Sequence, residues 1–141
     1  MLPGLKNVNM KKLGLTVVVI FVYVFVTDWL IHGMLLDGMY KATPQLWRSE
    51  SEMQTLFPWM ILAQFLFSLA FCVLFVKGYE GKGPIEGVRF GIYITIISIA
   101  MWMVQYVTTP LTCEIVCGWA LTALIQCTIA GAIASLVYKK K

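Results

Sequence analysis

The chain has 141 residues, of which 60% are apolar and only 13% charged, with a mean hydropathy of +0.81. That composition leaves too little polar surface to solvate a soluble domain, and it makes the lipid bilayer the natural solvent. The formal net charge of +4 does not indicate nucleic acid, because no basic patch is interleaved with aromatics and most lysines border apolar runs.

In chain order, Lys11-Lys12 before the apolar run 13–26 has the outline of a secretory leader. Val26-Thr27-Asp28-Trp29-Leu30 lacks the small-residue cleavage pattern, so the segment is read as a retained first helix over about 13–36. A polar connection, about 37–55, contains Thr43-Pro44 and the capping-box form Ser49-x-x-Glu52. Its Leu46, Trp47 and Met53 suggest a segment lying on the membrane surface. A second helix is expected over 56–76. It stops at Lys77-Gly78-Tyr79-Glu80-Gly81-Lys82-Gly83-Pro84, too rich in glycine and proline to stay helical. This stretch lacks P-loop spacing and precedes a helix instead of following a strand. A third helix is expected over 85–107, with Glu86 complementing the helix dipole and spaced to pair with Arg89. Thr108-Thr109-Pro110 turns the chain into a fourth helix, 111–138. The small residues Gly118, Ala123, Ala130, Gly131, Ala132, Ala134 and Ser135 mark it for close packing.

Each segment is near the ~20 residues that cross ~30 Å of hydrocarbon. The expected fold is therefore all-α: a four-transmembrane-helix bundle forming one membrane domain over 1–141. Of the eleven Lys and Arg residues, all but Lys41 and Arg48 fall in the two tails and the 77–89 region. The positive-inside rule then sets both termini in the cytoplasm. With that orientation Trp29, Trp47, Trp59, Trp102 and Trp119 lie toward the outer side, either as an interfacial belt or lining a site.

Ionisable groups at membrane depth are costly and need an explanation. Asp28 and His32 are four apart on one helix face, and Glu114 begins the fourth helix. Gln64, Gln105 and Tyr106 fall at comparable depth, so all four helices contribute to one polar layer. One reading is structural: an Asp28–His32 pair, Glu114 near water, and glutamines bridging helices. The other is a cavity in which His32 acts as ligand or proton carrier oriented by Asp28. A metal site of His32, Asp28 and Glu114 has only weak spacing support. Cys113 and Cys117 are spaced for a soft metal or a thiol contact, and Cys72 and Cys127 read as packing residues. One histidine excludes bis-His haem ligation within a monomer, and no CxxC, CxxCH or Ser/His/Asp pattern occurs. The residues assign no catalytic group and no cofactor.

His32-Gly33-x-Leu35-Leu36, Tyr40, Leu46-Trp47-Arg48, Glu52-Met53, the 77–83 stretch and Glu86-Gly87-x-Arg89-Phe90-Gly91 together resemble a family of uncharacterised small four-helix bacterial integral membrane proteins. The resemblance implies the four-helix fold and a bacterial inner membrane, and no activity. The leading expectation is a non-catalytic subunit or accessory protein of a larger membrane complex. A small homo-oligomeric transporter or channel using Asp28, His32 and Glu114 is the alternative, and a metal or redox-cofactor protein is a third. The expected partners are the bilayer and other membrane subunits or further copies of the chain.

Overall fold

In the computed structural model, which describes residues 8–139, each apolar run has become a long helix. Helix α1 (Met10–Leu30) continues through a π turn, Ile31–Leu35, into the short α2 (Asp37–Lys41) and a 3₁₀ turn at Pro44–Leu46. Then come α3 (Glu50–Gly78), α4 (Pro84–Thr108) and α5 (Cys113–Tyr138). The four long helices are each long and apolar enough to cross a membrane. Among the described residues there is no strand. Lys6, Lys140 and Lys141, which enter the charge count, lie outside the described residues.

Local chemistry sets the ends. The Asn9 side chain accepts the Lys12 N–H at 3.0 Å to start α1. Ser49 and Glu52 form a full capping box, in which the Ser49 N–H donates to Glu52 Oε2 at 3.0 Å and Ser49 Oγ accepts from the Glu52 N–H at 3.4 Å. That box starts α3 at Glu50, six residues before the expected 56. The sequence estimate followed the apolar run, whereas the backbone follows the cap. At 29 residues and ~1.5 Å each, α3 is about 43 Å long, longer than the ~30 Å that crossing a hydrocarbon core needs. The expected connection 37–55 is accordingly shorter and mostly helical. Before α4, Gly83 adopts φ 81°, a left-handed conformation that favours glycine, and Pro84 occupies the first turn. The Glu86 carboxylate accepts the N–H groups of Glu80 (2.6 Å) and Lys82 (2.9 Å), folding the 79–83 turn back on the helix start. The expected Glu86–Arg89 pair is therefore replaced: backbone donors occupy the carboxylate.

The helices stand in the order α3, α1, α5, α4, with α1 packed on both α3 and α5, and α4 packed chiefly on α5. The α4–α5 contact is the closest in the molecule. A methyl group at Gly87 would overlap the Gly131 carbonyl, one at Gly91 the Cys127 carbonyl, and one at Gly131 the Gly87 carbonyl. Gly87-x-x-x-Gly91 thus meets the small-residue face of α5 backbone to backbone. Thr95, one turn on, donates to its own helix at Gly91 O and across to Ala123 O.

The core sits toward the end of the bundle that carries Asn9 and Tyr138, here the terminus end. Ile20, Phe71, Cys72, Phe75, Tyr79, Ala130, Ala134 and Tyr138 are buried there. Phe90 of α4 meets Phe71 edge-on at 4.9 Å and Phe75 at 5.5 Å, closing the gap between α3 and α4 at this level. Toward the opposite end, which carries α2 and the 3₁₀ turn, α3 and α4 have no comparable contact and the bundle stays open.

Candidate functional site

The opening between α3 and α4 is a cavity of about 380 Å³, with Asp28, Gln64, Ser98, Trp102, Trp119 and Gln126 among its lining residues. It spans the middle of the bundle to the loop end, and all four long helices contribute to its wall. Asp28 is its centre of charge. Gln64 Nε2 donates to Asp28 Oδ2 at 2.7 Å, and Gln126 Nε2 donates to Oδ1 at 2.7 Å. Gln126 also donates to Thr27 Oγ1 at 2.7 Å. Thr27 in turn donates to the Tyr23 carbonyl, in the ordinary fashion of a helical threonine. The carboxylate is thus clamped between α3 and α5 by two amides. No Lys or Arg lines the cavity.

His32 takes a different partner. Its Nδ1 lies 2.6 Å from the Tyr40 hydroxyl, and the rings stack at 6.0 Å. Trp119 Nε1 donates to the same hydroxyl oxygen at 2.8 Å. An indole N–H can only donate, so the phenol oxygen accepts from Trp119, and which partner donates in the His32–Tyr40 bond follows the imidazole tautomer. The direct Asp28–His32 pair expected from the four-residue spacing is not formed. Amides from two other helices hold the carboxylate, while α2 carries Tyr40 back over His32. The π turn at Ile31–Leu35 makes that return feasible, with Leu36 N–H bonding to Ile31 O at 2.8 Å. Burial raises the Tyr40 phenol above its ordinary value, opposed by the Trp119 hydrogen bond.

Aromatic rings continue across the loop end. Tyr40 meets Trp47 edge-on at 5.0 Å, Trp47 meets Trp119 at 6.4 Å, and Trp119 meets Trp102 at 5.9 Å. Trp47 Nε1 donates to Thr43 Oγ1 at 3.1 Å, which anchors the connection over the bundle. Trp102 and Trp119 line the cavity, whereas Trp29 and Trp59 are 66% and 68% exposed. Two of the five tryptophans thus belong to the cavity wall and two to the bundle surface, while Trp47 packs half-buried between Tyr40 and Trp119.

Of the expected polar layer, Asp28, His32, Gln64 and Gln105 line the cavity. Tyr106 is 46% exposed on α4, and Glu114 is exposed in the first turn of α5; neither lines it. Among the described residues no three His, Cys, Asp or Glu side chains gather as a metal site, so His32, Asp28 and Glu114 are not assembled as ligands. Cys113 and Cys117 are free and exposed with their sulfurs 3.7 Å apart, while Cys72 and Cys127 are buried. Gln126 was missed because it lies in the middle of α5, farther from the helix ends than the layer counted from them. Its side chain is the most polar on α5 between Glu114 and Lys139, which was the available signal.

A second, smaller hollow of about 250 Å³ lies at the terminus end, with Glu80, Lys82, Glu86 and Arg89 beside Phe75, Phe90 and Tyr93. Its charges are of both signs, and Lys82 pairs with Glu80. The cavity around Asp28 is the better-built site, with one charge and hydrogen bonds from two other helices. Comparison with protein-family models, curated proteins and solved structures finds no match to this chain, so the chemistry of its own residues carries the reading.

Proposed function

We propose that the protein is a small homo-oligomeric membrane transporter whose solute-binding site is the cavity around Asp28. The observation that supports this reading most is an ionisable side chain at membrane depth, held by amides from two other helices, facing a hollow that opens at one end. An intramembrane carboxylate of this kind is costly to keep and commonly marks a solute or ion pathway. The cavity volume falls within the usual range for small-molecule sites, ~300–1,000 Å³. Asp28 carries the charge, Gln64 and Gln126 position it, and His32 lies at the rim. Glu114, on the exposed surface, has no part in this version. Because the aromatic layer at Phe71, Phe75 and Phe90 seals the other half, passage requires a second conformation or a second copy.

In this reading both termini face the cytoplasm, supported by the Lys/Arg distribution, and the cavity opens outward. A bacterial inner membrane is supported by the sequence resemblance alone. The second reading, an accessory subunit of a larger complex, draws on α4. Only 11% of its most apolar stretch is buried within the bundle, leaving Ile92, Tyr93, Ile96 and Met101 open to lipid or another protein.

The test is purification in mild detergent for native mass spectrometry, followed by a swelling assay in proteoliposomes with a panel of small solutes. A homo-oligomer that admits a solute, with uptake lost in Asp28→Asn, is the expected result. A stoichiometric companion subunit and no uptake of any solute contradict the transporter reading and favour the subunit.

A further inference from the structure

The hydrogen-bonding groups around Asp28 are unevenly spent. The Ser98 hydroxyl donates to Ile94 O at 3.1 Å, and the Thr122 hydroxyl donates to Gly118 O at 2.8 Å. Trp119 has spent its N–H on Tyr40, and Gln126 has spent its amide hydrogens on Thr27 and Asp28. What remains around Asp28 is chiefly the carboxylate's own acceptor capacity, with one N–H of Gln64 Nε2 also uncommitted. An ionised carboxylate has about four lone-pair sites, and the two amides fill one on each oxygen. Gln64 Oε1 is buried and has no hydrogen-bond partner, a rare and costly condition for a buried carbonyl. Trp102 and Trp119 also line the wall, and no Lys or Arg does.

Resting on the solute-binding reading above, we propose that the cavity takes a small organic cation bearing N–H donors, a protonated amine, with Asp28 as its counter-charge. The ammonium hydrogens supply the donors that the Asp28 oxygens lack, and its charge balances the carboxylate. Indole rings on the wall add a quadrupole that attracts the same sign of charge at a ring face. An anion would meet the Asp28 charge with no cationic side chain to offset it. A neutral solute would leave that charge uncompensated. A divalent metal lacks a ligand set, since no group of three His, Cys, Asp or Glu side chains occurs among the described residues. The volume holds roughly a dozen waters at ~30 Å³ each, which limits the cation to a small one. The remaining donors, on Gln64 beside Asp28 and on His32 and Gln105 toward the loop end, suit an acceptor elsewhere on the solute.

The test is a ligand-observed NMR titration of the protein in lipid nanodiscs with ethylammonium, acetamide, acetate and sodium. Ethylammonium is expected to bind saturably and acetate not at all. Asp28→Asn should weaken ethylammonium by roughly tenfold or more, the usual scale for a charged hydrogen bond. Trp102→Phe, which keeps the carboxylate, should weaken it by about threefold. Acetamide or sodium binding while ethylammonium does not overturns the amine assignment and leaves a solute site standing. No binding of any probe overturns both readings. Ethylammonium affinity unchanged in both folded variants overturns the siting at Asp28.

Discussion

The two halves of this bundle are made from the same four helices and solve opposite problems. At the terminus end, α4 and α5 touch backbone to backbone through Gly87, Gly91 and Gly131, and Phe90 bridges to Phe71 and Phe75. At the loop end the same pair carries Trp102 and Trp119, whose bulk faces a hollow. Side-chain size along one helix pair thus decides where the bundle closes and where it opens. Packing dominates the closed half, since lipid offers no hydrophobic drive for helix association. Hydrogen bonding dominates the open half, where Asp28, Gln64 and Gln126 tie together helices that do not otherwise fill the space between them.

Breaking the closed half should have the larger effect. Gly131→Leu forces α5 away from the Gly87 carbonyl, against backbone that has no rotamer in which to retreat. The expected loss is about 3 kcal/mol or more, or failure to fold, read as a fall in thermal midpoint in detergent. Breaking the open half should cost less. Gln126→Leu removes the α5 amide from Asp28 and Thr27, with an expected loss of ~0.6–2 kcal/mol by double-mutant cycle with Asp28→Asn. If Gln126→Leu proved as damaging as Gly131→Leu, the division of labour between the halves would fail.

The smallest effect belongs to Tyr40→Phe at the rim. It removes the hydroxyl between Trp119 and His32 and should cost about 0.5 kcal/mol, the low end for a hydrogen bond at an exposed rim, with a shift in tryptophan emission. Its pH signature has a definite sign. Because burial raises the folded phenol above its ordinary value near 10, the Tyr40 contribution is whole below that value. It is lost only as pH climbs through the folded one. Difference absorbance at 295 nm between wild type and Tyr40→Phe should therefore show a phenolate forming later than in free tyrosine.

The sequence made the four helices legible because long apolar runs and capping residues are local signals. Ser49-x-x-Glu52 even marked the true start of α3, although the apolar run drew the boundary six residues late. The carboxylate and two of its neighbours in the cavity, His32 and Gln64, were legible as polar residues at membrane depth. Their partners were not. Whether Asp28 faces His32 or a pair of glutamines depends on helix order and rotation, which follow from tertiary packing. Gln126 was hidden by its depth, and Tyr40 by the return of α2 across the bundle. The α4–α5 crossing has half a signal in the sequence: the small residues of α5 form a dense series, whereas Gly87 and Gly91 are an isolated pair on an otherwise bulky helix.

The most direct test of an open half above a closed one compares two positions one turn apart on α4. In a background lacking the four native cysteines, Ser98→Cys and Thr95→Cys are exposed to a membrane-impermeant thiol reagent from the loop side. Ser98 lines the cavity, and Thr95 is 1% exposed against α5. The account predicts rapid labelling of Ser98→Cys and none of Thr95→Cys in folded protein. Equal labelling of the two, or protection of both, would contradict it.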